Sequence, residues 1–108
     1  MVHKGDGHRR RLRERFLSAG LEGFRDYEVL ELLLTLATPR KDCKQPAKEV
    51  LKKFKSLPAV FDAADEELCT VAGIGPKNLF GIRLVKAVAE RYHEGRMAAA
   101  DPLQNSGE

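Results

Sequence analysis

Aromatic residues are scarce, with two Tyr and five Phe making 6% of the 108 residues. Proteins that hold single-stranded nucleic acid commonly stack successive bases on aromatic rings, so these few rings, mostly at positions that fit a core, argue against such a platform. Cysteine is rarer still. Cys43 and Cys69 stand far apart with no Cys-x-x-Cys or Cys/His grouping, which predicts neither a disulfide framework nor a zinc site and leaves both as reduced thiols. No apolar run approaches the ~20 residues that span a bilayer, and Met1-Val2-His3-Lys4 leads into arginines without an apolar segment. A cytoplasmic protein without membrane contact is the expectation. Ser/His/Asp, Cys/His and metal-ligand spacings are also missing. His3, His8 and His93 have no carboxylate or nucleophile at a defined interval, so catalysis, metal and cofactor are not expected.

What is present fits one helical domain. The length suits a single core, and 43% hydrophobic with 32% charged residues is ordinary for a globular chain. A net charge of +3 is too small to imply a polyanionic partner by itself, but the charge is segmented. Residues 1–15 hold six basic and two acidic residues and residues 39–55 hold seven and two, whereas Asp62, Asp65, Glu66 and Glu67 form an acidic run. Those acids fall in or near first helical turns, where the helix dipole favours them.

Periodicity predicts helices and no strand. Leu12, Phe16 and Ala19 share one face of a helix from His8 to Ala19, closed by Gly20. Asp26 caps a Leu-rich helix from Tyr27 to Ala37, apolar nearly all round and therefore central; a buried strand is the rival, disfavoured by the single β-branched apolar residue. Pro39 breaks the pattern, and Asp42 then caps a helix to Phe54 with Ala47, Val50, Leu51 and Phe54 inward and Lys44, Lys48, Lys52 and Lys55 opposite, a lysine face read chiefly as solvation. Ser56 caps a short helix with Pro58 in its first turn, and Asp65 starts another over Glu66 to Val71. Leu79, Ile82, Val85 and Ala89 mark a last, long helix that frays near Gly95. The domain is thus expected over residues 1–94, with 95–108 as a tail or linker stub.

The informative stretch is Val71-Ala72-Gly73-Ile74-Gly75-Pro76-Lys77-Asn78-Leu79. Two glycines around one apolar residue permit a tight turn with Ile74 tucked inward, and they remove side chains that would keep a phosphate from the amides. The amides of Gly75, Lys77 and Asn78 are expected to face outward at the positive end of the next helix, with the Lys77 ammonium beside them. Pro76 has no amide to give but suits a first helical position. The bland alternative is an ordinary helix–helix corner in which the glycines serve only the turn.

Ser56-Leu57, Val60-Phe61, Asp65-Glu66-Glu67-Leu68 and Val71-Ala72-Gly73-Ile74-Gly75 together resemble the helix-hairpin-helix segment of DNA repair proteins. Over residues 7–92 the chain also resembles the N-terminal region of RadC-type bacterial proteins. The resemblance rests on Gly7-His8-Arg9-Arg10-Arg11-Leu12-Arg13-Glu14-Arg15-Phe16, Asp26-Tyr27-Glu28-Val29-Leu30-Glu31-Leu32-Leu33-Leu34 and Pro39-Arg40-Lys41-Asp42, in that order. The resemblances imply an all-α fold, a compact bundle of five to six short helices ending in a helix-hairpin-helix over residues 56–94. They also imply sequence-independent contact with the DNA backbone, in a region that precedes a JAB/MPN-type metal-binding domain with a His-x-His and a downstream Asp. That domain is absent from this sequence, so the chain is expected to be an N-terminal half or a natural short form.

The candidate DNA-binding residues are Gly73, Ile74, Gly75, Lys77, Asn78 and Arg83, with Arg9, Arg10 and Arg13 as a second patch. Arginine matches phosphate in bidentate fashion, although a solvated helix face explains these arginines equally. Pro39-Arg40-Lys41-Asp42 is expected to be the turn of a degenerate first hairpin, without a Gly-x-Gly for amide contacts, from which Arg40 and Lys41 can reach a phosphate. Glu28 and Glu31 are read as surface or ion-paired residues, and His8 as a capping or surface residue. DNA is the expected partner. A homodimer, a protein-docking role, or the regulatory half of a metal hydrolase are the alternatives.

Overall fold

The computed structural model describes residues 6–39 and 41–100; Arg40, the residues before Asp6 and the tail from Asp101 onward lie outside them. Six helices follow one another: α1 (Asp6–Ala19), α2 (Asp26–Thr35), α3 (Lys44–Phe54), α4 (Leu57–Asp62), α5 (Asp65–Leu68) and α6 (Phe80–Ala100). No strand occurs among the described residues, so the all-α expectation holds.

α2 sits at the centre, touching α1, α3 and α6, because only this helix carries apolar side chains on most of its circumference. Leu30 and Leu34 are fully buried against Ala47 and Val50 of α3, Val60 of α4, Leu68 of α5 and Ile82 of α6. Each such leucine stabilises the fold by about 1.5–3 kcal/mol through burial. Where α2 and α6 cross, Gly81 brings the two backbones together, and a methyl group there would run into the Leu33 carbonyl.

Caps explain most boundaries. Asp42 accepts from the amides of Lys44 (3.1 Å) and Gln45 (3.3 Å) at the start of α3, and Ser56 Oγ accepts from Ala59 N (3.2 Å) at α4. Several boundaries differ from expectation, α1 starting at Asp6 and α2 ending at Thr35 among them. The residue preceding α2 is Arg25, whose own amide is met by Glu28 Oε1 at 3.0 Å, while Asp26 is already helical. α5 stops at Leu68, since Thr70 and Val71 donate to Glu67 and Leu68 carbonyls three residues back and tighten the chain toward the next turn.

The last helix is the larger departure. α6 runs through Gly95 to Ala100, so the fraying expected at Gly95 does not occur; the helix-forming Met97-Ala98-Ala99 stretch follows, and one interior glycine costs only about 1 kcal/mol. The expected boundary at residue 94 therefore cuts a continuous helix. Phe16 is exposed as well, correcting its placement on the inward face of α1.

Candidate functional site

The Gly73-Ile74-Gly75 turn reverses the chain between α5 and α6, with Ile74 N bonded to Val71 O at 3.0 Å and the Ile74 side chain buried, as its sequence position suggested. Its two glycines have different reasons. Gly73 has φ +88°, and a Cβ there would stand 2.6 Å from Pro46 Cγ of α3, so the fold itself demands glycine. Gly75 has no such φ, and a Cβ there would meet nothing within 4 Å. The protein's own packing leaves the space over Gly75 empty.

Asn78 staples this turn. Its Oδ1 accepts from Gly75 N at 2.8 Å and its Nδ2 donates to Gly73 O at 2.7 Å. The Gly75 amide is therefore consumed within the turn rather than facing outward, and the Asn78 side chain is internal rather than a ligand contact. Regular helix begins only at Phe80, after turns in which Leu79 N reaches Gly75 O (3.3 Å) and Phe80 N reaches Lys77 O (3.4 Å). The amides of Lys77 and Asn78 make no hydrogen bond among the described residues, as first-turn amides commonly do not. The Lys77 side chain is exposed beside them.

The turn forms one wall of an open groove of about 690 Å³ whose other wall holds Ala37, Thr38, Pro39, Lys41, Asp42 and Cys43, between α2 and α3. Lys41 and Lys77 line it together, and Leu34, Pro46, Ile74 and Pro76 give it apolar surface. Among the described residues its one acidic lining residue, Asp42, has both carboxylate oxygens engaged by α3 amides. Thr38 also lines the groove, 8% exposed, with its hydroxyl buried beside the Cys43 thiol. Burial pushes the Cys43 thiol above its ordinary range against the opposing pull of Arg9, and both cysteines are free. Sequence reading assigned phosphate contacts to each turn separately; their meeting across one groove rests on tertiary packing of Pro46 under Gly73, for which no local signal exists.

The arginines divide. Arg83 lies away from the groove: Nε bonds Asp65 Oδ1 (2.6 Å), Nη1 bonds Phe61 O (2.9 Å) and Nη2 bonds Ala63 O (2.6 Å), which ties the α4–α5 connection to α6. Its donors face inward, so it leaves the set of candidate contacts. Arg9 is likewise engaged, donating to Lys41 O and standing 3.7 Å from Cys43 Sγ, and so supports the groove wall from behind. Arg10 and Arg13 are exposed on α1 and do not line the groove. Arg15 pairs with Glu28 at 2.9 Å and covers the Phe24 ring at 4.4 Å. This hydrogen bond holds the Glu28 carboxyl below its ordinary range, helped by the Arg25 amide.

Glu31 corrects the surface reading. It is 2% exposed, with Oε2 2.7 Å from His8 Nε2 and Oε1 without a hydrogen-bond partner, and burial pushes its carboxyl up despite His8. His8, with 37% of its side chain still exposed, consequently also fastens the first turn of α1 to α2. Among the described residues no cluster of His, Cys, Asp and Glu could hold a metal ion, and no helix is long and apolar enough to cross a membrane.

Residues 7–80 match the family model described as UPF0758 N-terminal, consistent with the RadC-like resemblance. The chain is 51% identical over 79 residues to a UPF0758 protein of Fusobacterium nucleatum, covering 73% of this chain and 34% of that protein. UPF0758 proteins of Rhodobacter capsulatus (41% over 86 residues, 80% of this chain and 40% of the relative) and Ruegeria pomeroyi (38% over 90 residues, 83% and 40%) are also similar. The chain thus spans between a third and two fifths of the length of these curated relatives. No solved structure matches it.

Proposed function

The chain belongs to the UPF0758 family, and on that premise we propose that it is a non-catalytic DNA-binding module whose Gly73-to-Asn78 turn grips a backbone phosphate without reading sequence. The observation that carries this reading is Gly75. Neither backbone conformation nor a neighbouring atom requires glycine there, whereas the approach of an anion to the open amides of Lys77 and Asn78 does. Lys77 and Lys41 add positive charge to the same groove. The arrangement then works as a helix-hairpin-helix, in keeping with a role in DNA repair.

Few phosphates are met by one turn and two lysines, so binding is weak and salt-sensitive, with a log–log slope of about two to three. Useful affinity comes from a dimer or from an attached domain acting through effective concentration. The test is a titration of the labelled chain with a short duplex, followed by amide NMR. The Lys77 and Asn78 amides are expected to shift first, and Gly75→Asp to abolish the shifts. Shifts confined to α6, or none at low salt, would sink the reading.

A second reading, a docking or dimerisation module, draws on Phe80, Leu84, Val88 and Tyr92, which recur every four residues along α6 and are all exposed. Binding through that stripe would tolerate salt and respond to Leu84→Ala. The third, the regulatory half of a JAB/MPN-type metal hydrolase, draws on the greater length of the relatives, and a His-x-His with a downstream Asp in the same reading frame would support it.

A further inference from the structure

We propose that the lysine strip of α3 is a second DNA-backbone contact, turned away from the Gly73–Asn78 turn, so that one chain holds two duplex arms of a branched DNA. This rests on the phosphate reading of the turn and names the form of DNA that the module takes. Lys44, Lys48 and Lys52 stand four residues apart, which sets them in a strip about 12 Å long and about 80° wide, and Lys55 follows at the helix end. All four are exposed, and none forms an ion pair among the described residues. Glu49, the only acid of α3, accepts from Gln45 at 2.8 Å. Of the acids on neighbouring α2, Glu28 is taken by Arg15 and Glu31 by His8, which leaves Asp26.

A face that serves solubility alone mixes the two signs, whereas like charges at this spacing repel one another and weaken the helix that carries them. Lys55 is an independent sign of use. Among the described residues it is the only one other than glycine with a positive φ (+79°), at a left-handed cap where glycine is the least strained choice. A long cationic side chain held in that conformation points to a role for its charge, and here it extends the row of ammonium groups.

The strip and the turn cannot share one straight duplex. Gly73 stands over Pro46, and the Lys53 ammonium bonds the Thr70 hydroxyl, so the turn lies on the Pro46 and Lys53 side of α3. The strip lies on the side of α2, with the Lys48 ammonium 4.9 Å from the centre of the Tyr27 ring. These two sides are about 150° apart around the helix axis. A duplex arm seated on the turn therefore leaves the strip open to a second arm. The first amides of α3 are taken by Asp42 and by the Cys43 carbonyl, so only ammonium groups meet that arm. Such a contact is weak alone and adds affinity once the turn has engaged, through effective concentration.

The experiment measures fluorescence anisotropy of two labelled DNAs with the full chain, a three-way junction and a linear duplex of equal nucleotide count, at about 50 mM and about 200 mM salt. Wild type is expected to bind the junction roughly tenfold more tightly, with a salt slope steeper by about two. Lys44→Gln plus Lys52→Gln, whose folding a melting curve establishes, should bring the junction down to the affinity of the linear duplex. Lys55→Gly should narrow the ratio while raising the melting temperature, a combination that damage to the fold does not produce. Equal affinity of wild type for the two DNAs, or a ratio untouched by the double lysine variant, overturns the second contact while leaving the phosphate grip standing. Failure of both DNAs to bind at the lower salt removes the phosphate grip, and the second contact with it.

Discussion

His8 Nε2 lies 2.7 Å from Oε2 of Glu31, a carboxylate that is 2% exposed. Burial acts on Glu31 more strongly than the histidine does, so its carboxyl titrates above the ordinary range in the folded chain. A carboxyl whose folded pKa is raised contributes stability that is fully present below the unfolded pKa and is lost as pH rises through the folded one. Glu31→Gln removes this loss. The melting temperature of Glu31→Gln relative to wild type should therefore climb as pH rises above the ordinary carboxylate range, and a difference that is flat or falls with pH would contradict the assignment.

Gly73 and Gly75 separate fold from function. Gly73→Ala forces a methyl group onto Pro46 in a left-handed backbone and should cost about 2–4 kcal/mol in denaturant unfolding. Gly75→Ala should change stability by less than about 0.5 kcal/mol, yet weaken duplex binding several-fold. Equal stability losses at the two positions would show that both glycines serve only the turn.

Arg83 should behave as a structural clamp. Replacing it with Ala breaks three hydrogen bonds that span the α4–α5 connection, at a cost of about 1.5–3 kcal/mol. The salt slope of DNA binding should stay unchanged, because no phosphate contact is lost; a slope reduced by about one would return Arg83 to the binding surface.

Lys55 closes α3 in the left-handed region at φ +79°, with its amide bonded to Leu51 O at 2.6 Å. Lys55→Gly removes the Cβ strain and should stabilise the chain by about 0.5–1 kcal/mol by calorimetry, while Lys55→Val should destabilise it. No change on Lys55→Gly would place the strain elsewhere.

The helices were legible because local rules govern them. The Leu-rich run from Val29 to Leu34 announced a central helix, and Asp42 and Ser56 announced two starts through side-chain oxygens that reach the next turn's amides. Lengths were less legible, since Gly95 reads as a stop in sequence and is carried through by the residues after it. Polar residues misled most. Glu31 and Glu28 share a helix three residues apart, but only contact with α1 decides that one is sunk beneath His8 and the other meets Arg15 at the surface. Arg83 reads as a cation on a polar face, and its three bonds depend on two carbonyls and the Asp65 carboxylate about twenty residues away. At the turn, Lys77 and the inward Ile74 followed from the motif, whereas the groove depends on two turns that meet only through packing.

The most direct test of the phosphate grip is fluorescence anisotropy of a labelled nicked duplex with wild type and with Gly75→Asp plus Lys77→Glu, at about 50 mM and about 200 mM salt. The account predicts wild-type binding that weakens steeply between the two salts and disappears in the double variant, whose melting temperature stays near wild type. Undiminished binding by the folded double variant, or no binding by either protein at the lower salt, would contradict it.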